Sequence, residues 1–212
     1  MKDTMLIFDL DGTLWDSAVN VAASWNEVLD KECPELSGIT EETIHSVMGK
    51  PMDVIAESLM PGKDPALRRK VFDDCMEYEN EYVSVHGGKM FPKVEEVLRC
   101  LLDNGYKMAI VSNCQEGYIE AFLISMNMGK YFCDTEEWGR TKLSKGKNIR
   151  LVMERNSFSR AVYIGDTHGD ETAADEAGIP FIFASYGFGS AAAPAGVIKS
   201  FDELPQVLEK IL

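Results

Sequence analysis

Residues 5–8, Met-Leu-Ile-Phe, form an unbroken apolar run that stops at Asp9 and is followed by Gly12, the pattern of a buried strand ending in a polar loop. From Asp16-Ser17, a helix N-cap pair, to about Val85 the apolar positions repeat with helical spacing. Breaks at Pro34, Gly49-Lys50-Pro51 and Pro61-Gly62 divide this stretch into about four helices with no strand among them. The texture changes after Phe91-Pro92. Val94, Val97, Leu98, Leu101 and Leu102 make a helical stripe that Asn104-Gly105 stops, and residues 107–111 read as a strand. The alternation continues with a helix over 116–126, a short strand near 131–133, a helix over 146–155 and a strand over 160–164. A helix over 170–177, a strand over 180–184 and a last helix over 202–212 complete it. Strands that alternate with helices predict an α/β fold: a doubly wound, Rossmann-like parallel sheet covered on both faces, with an all-helical cap inserted after the first strand. The boundaries expected are 1–15 and 88–212 for the core and 16–87 for the cap.

Composition narrows the function. Hydrophobic residues make up 45% and charged residues 26% of the 212, ordinary globular usage. Lys+Arg 21 against Asp+Glu 35 gives a net charge of −14, a field that repels nucleic acid and anionic membranes, so neither is an expected partner. Five scattered cysteines without a CxxC pair suggest neither a disulfide framework nor a zinc knuckle. With no signal-peptide core and no membrane-length apolar run, a reducing cytoplasm is the expected location.

In open parallel sheets ligands sit beyond the carboxyl ends of the strands. There the chain places Asp9-Leu10-Asp11-Gly12-Thr13, Ser112-Asn113 and Gly165-Asp166-Thr167-His168-Gly169-Asp170, with Lys142, Lys145 and Lys147 ahead of a later helix. Carboxylates gathered in one cleft repel one another unless a divalent cation neutralises them, and hard oxygen donors favour Mg2+.

Asp9-Leu10-Asp11-Gly12-Thr13-Leu14, Ser112, a lysine and Gly165-Asp166 with Asp170, in that order, resemble the haloacid dehalogenase superfamily and, within it, the branch similar to phosphoglycolate phosphatases. The resemblance implies a phosphatase for a small phosphorylated metabolite. Asp9 would be the nucleophile that forms an aspartyl-phosphate, and Asp11 the acid and then the base. Asp9, Asp166 and the backbone carbonyl of Asp11 would hold Mg2+, with Asp170 a ligand through water, an orienter or simply a helix cap. Ser112, Asn113 and a lysine would grip the phosphoryl group. Lys145 fits the family's position ahead of a helix, although Gly146 stands where a proline is common. Lys50, in the loop that breaks the cap helices, is a candidate for substrate specificity or a solvated turn lysine. A phosphosugar mutase and a non-catalytic regulatory protein are the alternatives on this fold, as a monomer or a homodimer.

Other features are read as structural. His168 is taken as a rim residue, His45 and His86 as surface residues without a partner cluster, and Cys114 as a buried thiol. Gly187-Phe188-Gly189 mimics a dinucleotide fingerprint, but Pro194 disrupts the helix that the fingerprint needs.

Overall fold

The computed structural model describes residues 3–212. In chain order the elements are β1 (Thr4–Phe8), β2 (Trp15–Asp16), α1 (Ala18–Glu32), α2 (Glu41–Val47), α3 (Met52–Leu59), α4 (Pro65–His86) and β3 (Lys89–Met90). They continue with α5 (Val94–Asp103), β4 (Lys107–Ser112), α6 (Tyr118–Ser125), β5 (Asp134–Glu137), α7 (Trp138–Thr141) and α8 (Lys145–Arg155). The last are β6 (Arg160–Gly165), α9 (His168–Ala177), β7 (Phe181–Ala184), β8 (Gly196–Ile198) and α10 (Leu204–Ile211).

Six strands form one parallel sheet in the order β5-β4-β1-β6-β7-β8. Alternation along each strand sends side chains to opposite faces. Leu6, Phe8, Met108, Ile110, Val162 and Ile164 join the core beneath α5, α6 and α10, whereas Met5, Ile7, Ala109, Val111 and Tyr163 pack against α8 and α9. This is the doubly wound, Rossmann-like fold expected, and the four helices α1–α4 are inserted between β2 and β3. The chain leaves β1 for β4 on one side and returns to β6 on the other, so the reversal point, where open sheets bind ligands, lies at the end of β1.

Four strands escape a reading by apolar pattern. Residues 131–133 are not a strand: Gly129–Tyr131 makes a 3-10 turn and the strand follows at Asp134–Glu137. This β5 is an edge strand of polar residues; Arg155 pairs with Asp134 and Glu136, so no hydrophobic run marks it. The other edge, β8, has three residues, and β2 with β3 is an antiparallel ribbon of two residues per strand. The last helix begins at Leu204, after a 3-10 turn over Phe201–Glu203, because Pro205 suits a first helical turn.

Candidate active site

Asp9 is the first residue beyond β1, and its buried backbone N–H donates to the carbonyl of Ile164 on β6 at 2.8 Å. Asp166 follows β6 directly, Asp170 lies in the first turn of α9, and Lys145 opens α8. All four side chains are buried. Lys145 Nζ donates to Asp9 Oδ1 at 3.0 Å and to Asp170 Oδ1 at 2.6 Å. Carboxylate oxygens of Asp9, Asp166 and Asp170 lie within 4.8 Å of one another. One ammonium therefore faces three carboxylates.

Electrostatics follow from that imbalance. Burial and then repulsion from Asp170 push the pKa of Asp9 above the ordinary carboxylate range, with Lys145 opposing. Asp166 is pushed the same way by burial, Asp170 and Asp9, against the hydrogen bond from Phe188 N. Burial alone would depress Lys145, but Asp170 and Asp9 outweigh it and hold its pKa above that of a free lysine. Protein groups thus leave the pocket short of positive charge. Buried, oxygen-only donors in need of a cation fit Mg2+ well.

Two glycines make the close packing possible. Gly12 adopts φ +79°, and a Cβ there would lie 2.2 Å from Asp166 Oδ2. At Gly187 a Cβ would lie 2.4 Å from Asp166 Cβ. The glycine-rich loop after β7 therefore braces Asp166, its Phe188 N–H donating to Asp166 Oδ2 at 2.8 Å. Thr167 N and Oγ1 donate to Asp170 Oδ2 at 2.9 and 2.7 Å, and Thr167 caps α9. Asp170 thus serves the helix end with one oxygen and faces the cluster with the other.

Asp11 lies apart from the acidic cluster. Ser17 Oγ and the Tyr118 hydroxyl donate to its Oδ1 at 2.9 and 3.0 Å. Burial raises Asp11 to about 6, and those two hydrogen bonds oppose the shift. Ser17 precedes α1, but its hydroxyl is turned towards Asp11 instead of capping the helix; Asp16 Oδ1 accepts from Ala18 N instead. Ser112, buried at the end of β4, and Asn113 line the cleft beside Asp11. Asn113 Nδ2 donates to the carbonyl of Gly49 at 3.0 Å, tying the core loop to the loop between α2 and α3. Lys50, exposed, also lines the cleft, with Nζ donating to Ser46 O at 2.9 Å. Of the other lysines, Lys142 sits over the Trp138 ring and Lys147 is exposed.

Several contributors have no motif signal. Tyr118 and Ser17 belong to helix-start patterns, and Glu79 lies in the charged stretch of α4, yet it is buried and its pKa is raised by burial to about 7. His45 departs from the surface role expected: its Nε2 lies 3.1 Å from both Asp16 oxygens, and its ring stacks on Phe188 with centroids 4.3 Å apart. Packing of α2 over the cleft, invisible in local sequence, creates that contact. His168 is exposed and pairs with Glu171, His86 is exposed, and the Cys114 thiol is buried and held protonated, mainly by burial.

Known proteins resemble the chain over most of its length. A phosphoglycolate phosphatase of Vibrio parahaemolyticus is 27% identical over 223 aligned positions, covering 96% of this chain and 95% of that one. Another from Pseudomonas fluorescens is 29% identical over 199 positions, covering 87% and 70% respectively. The crystal structure of a predicted phosphoglycolate phosphatase from Haemophilus somnus superposes with a TM-score of 0.84 at 20% identity, covering 98% of this chain and 99% of that one, a likeness of fold. Residues 6–184 match the haloacid dehalogenase-like hydrolase family, and this chain belongs to it.

Proposed function

We propose that the chain is a Mg2+-dependent phosphatase for a small phosphorylated metabolite, working through an aspartyl-phosphate on Asp9. The observation that carries this reading is the convergence of Asp9, Asp166, Asp170 and Lys145, all buried, at the reversal point of the sheet. Asp9, Asp166 and the main-chain carbonyl of Asp11, with Asp170 behind them, would hold Mg2+, whose charge offsets that of the phosphoryl oxygens and the carboxylates. Lys145 adds a fixed positive charge beside Asp9. A carboxylate oxygen of Asp9 attacks phosphorus as the ester P–O bond breaks, and Asp11, protonated, gives its proton to the departing alkoxide. Water then attacks the phosphorus of the aspartyl-phosphate; Asp11 takes its proton, and the P–O bond to Asp9 breaks. Ser112 and the backbone at Asn113 would supply donors to the phosphoryl oxygens. Ser17 and Tyr118 aim the Asp11 carboxyl for both steps. Asp11, Ser112 and Asn113 line one cleft together with residues of the inserted helices, so a substrate there would touch both. Five free cysteines support a reducing, cytoplasmic setting.

Phosphate release from a panel of small phosphomonoesters, with and without Mg2+, for the native chain and Asp9→Asn, tests the reading. Metal-dependent turnover that vanishes in Asp9→Asn is expected. Turnover that ignores Mg2+ or survives the substitution refutes the mechanism, and interconversion of a bisphosphosugar without phosphate release would make the chain a mutase.

A further inference from the structure

The wall of the cleft opposite Asp11 is built by the inserted helices, and its polarity is unusual for a site that would accept an acid. Val21, Trp25, Ile44, Val47 and Ile55 supply apolar surface. Into it projects a single carboxyl, Glu79 of α4, only 4% exposed. The Trp25 indole N–H donates to Glu79 Oε2 at 2.5 Å, which fixes the side chain between α1 and α4. Gln115 borders the same part of the cleft, its amide donating to Asn80 Oδ1 at 3.1 Å, while Asn80 Nδ2 donates to the carbonyl of Glu116 at 2.8 Å. Glu79 is therefore held by the helical insertion and backed by the core loop that follows β4. Among the described residues that line this cleft, the cation is Lys50, which is exposed and turned to Ser46 O.

Given the phosphatase reading above, on which this rests, the leaving group must occupy the space between Asp11 and this wall. Above its raised pKa of about 7 Glu79 is an anion, and a leaving group with its own carboxylate or second phosphate would then meet it in an apolar enclosure without a buried cation to pair with it. A hydroxyl or ammonium group would instead find an acceptor already oriented. We propose that Glu79 is the specificity-determining residue of the cleft, selecting phosphate esters whose leaving group presents a hydrogen-bond donor, a polyol or an amino alcohol, and rejecting those with an anionic leaving group. Phosphoglycolate, named for the relatives, is then a poor substrate for this chain.

The test compares glycerol phosphate, ethanolamine phosphate and phosphoglycolate as substrates of the native chain and Glu79→Gln, with p-nitrophenyl phosphate as a generic ester, all with Mg2+ at a pH of about 8, above the raised value of Glu79. Expected in the native chain is a kcat/KM for glycerol phosphate or ethanolamine phosphate on the order of a hundredfold above that for phosphoglycolate, the scale of one like-charge contact in a partly dry site. In Glu79→Gln, whose amide oxygen can still accept from Trp25, the preference over phosphoglycolate should shrink by at least about tenfold, most for ethanolamine phosphate. Ratios between substrates in one sample do not depend on the fraction folded. Turnover of p-nitrophenyl phosphate with phosphoglycolate preferred, or with ratios unmoved by Glu79→Gln, overturns the role of Glu79 and leaves the phosphatase reading standing. Absence of turnover on all four esters overturns both.

Discussion

Titrating Mg2+ into chelator-stripped protein reads the acidic cluster as folding stability. In the chain alone, burial and neighbouring carboxylates hold Asp9 and Asp166 above the ordinary carboxylate range. Near neutral pH the folded state therefore retains protons that the unfolded chain has released. Since the slope of stability with pH follows protons bound unfolded minus protons bound folded, it is negative here: metal-free stability falls as pH rises from about 4 through the raised values, by up to about 1.4 kcal/mol per pH unit for each carboxylate. A divalent cation displaces those protons and removes the repulsion. At a free concentration about 100 times Kd, binding adds about 2.7 kcal/mol. At about 2–4 °C per kcal/mol for a domain of this size, Tm should rise by roughly 5–11 °C. The rise should be larger near pH ~8 than near pH ~5, where protons compete for the same oxygens. Differential scanning fluorimetry with Mg2+ against EDTA measures it. Asp166→Asn is expected to abolish most of the rise and, in EDTA at about pH 8, to be more stable than the native chain, because one self-repelling charge is gone. A rise that is the same at both pH values, or that persists in Asp166→Asn, would show that the carboxylate cluster is not where the cation binds.

Other consequences can be checked separately. Lys145→Met removes the ammonium from Asp9 and Asp170 and should cost about 3–5 kcal/mol of stability, seen in urea denaturation; a loss below about 1 kcal/mol would mean that the carboxylates relax by another route. Gly12→Ala forces a Cβ against Asp166 and a left-handed backbone on alanine, so a loss of at least about 1–2 kcal/mol and a weakened Mg2+ response are expected; native-like behaviour in both refutes the close-packing account. Tyr118→Phe removes a donor that favours ionised Asp11, so the basic limb of the pH–rate profile should move upwards by about half a unit or more, and a downward move contradicts the role given to Asp11.

Much of this architecture was legible in local sequence, and the reasons are physical. Apolar runs that end in aspartate, as at Asp9, or in serine, as at Ser112, mark buried parallel strands and the polar ends where chemistry collects. The insertion of helices was equally readable from Pro and Gly breaks at 34, 49–51 and 61–62. What stayed hidden depends on contacts between distant segments. Strand β5 can be polar because Arg140 of α7 and Arg155 of α8 pair with its carboxylates, and Glu79 sits in a helix stretch that looks solvated until α1 and α6 cover it. Nor could spacing reveal that His45 meets Asp16 and Phe188. The convergence of Lys145 on both Asp9 and Asp170 spans 136 and 25 positions of sequence, and only the sheet order brings it about.

The ribbon of β2 and β3 has a further consequence for how the fold tolerates change. Asp16 pairs with Lys89 and Trp15 with Met90, so the two ends of the inserted helices emerge side by side from the core. To the sheet, everything between them is one closed loop whose ends are already joined. The entropy of closing such a loop grows only with the logarithm of its length, so doubling the insertion would add just about 0.6 kcal/mol. Helices could be gained, lost or exchanged there at almost no expense to the parallel sheet, and the hydrolytic centre would keep its geometry while a new lid brought a new choice of molecule to it.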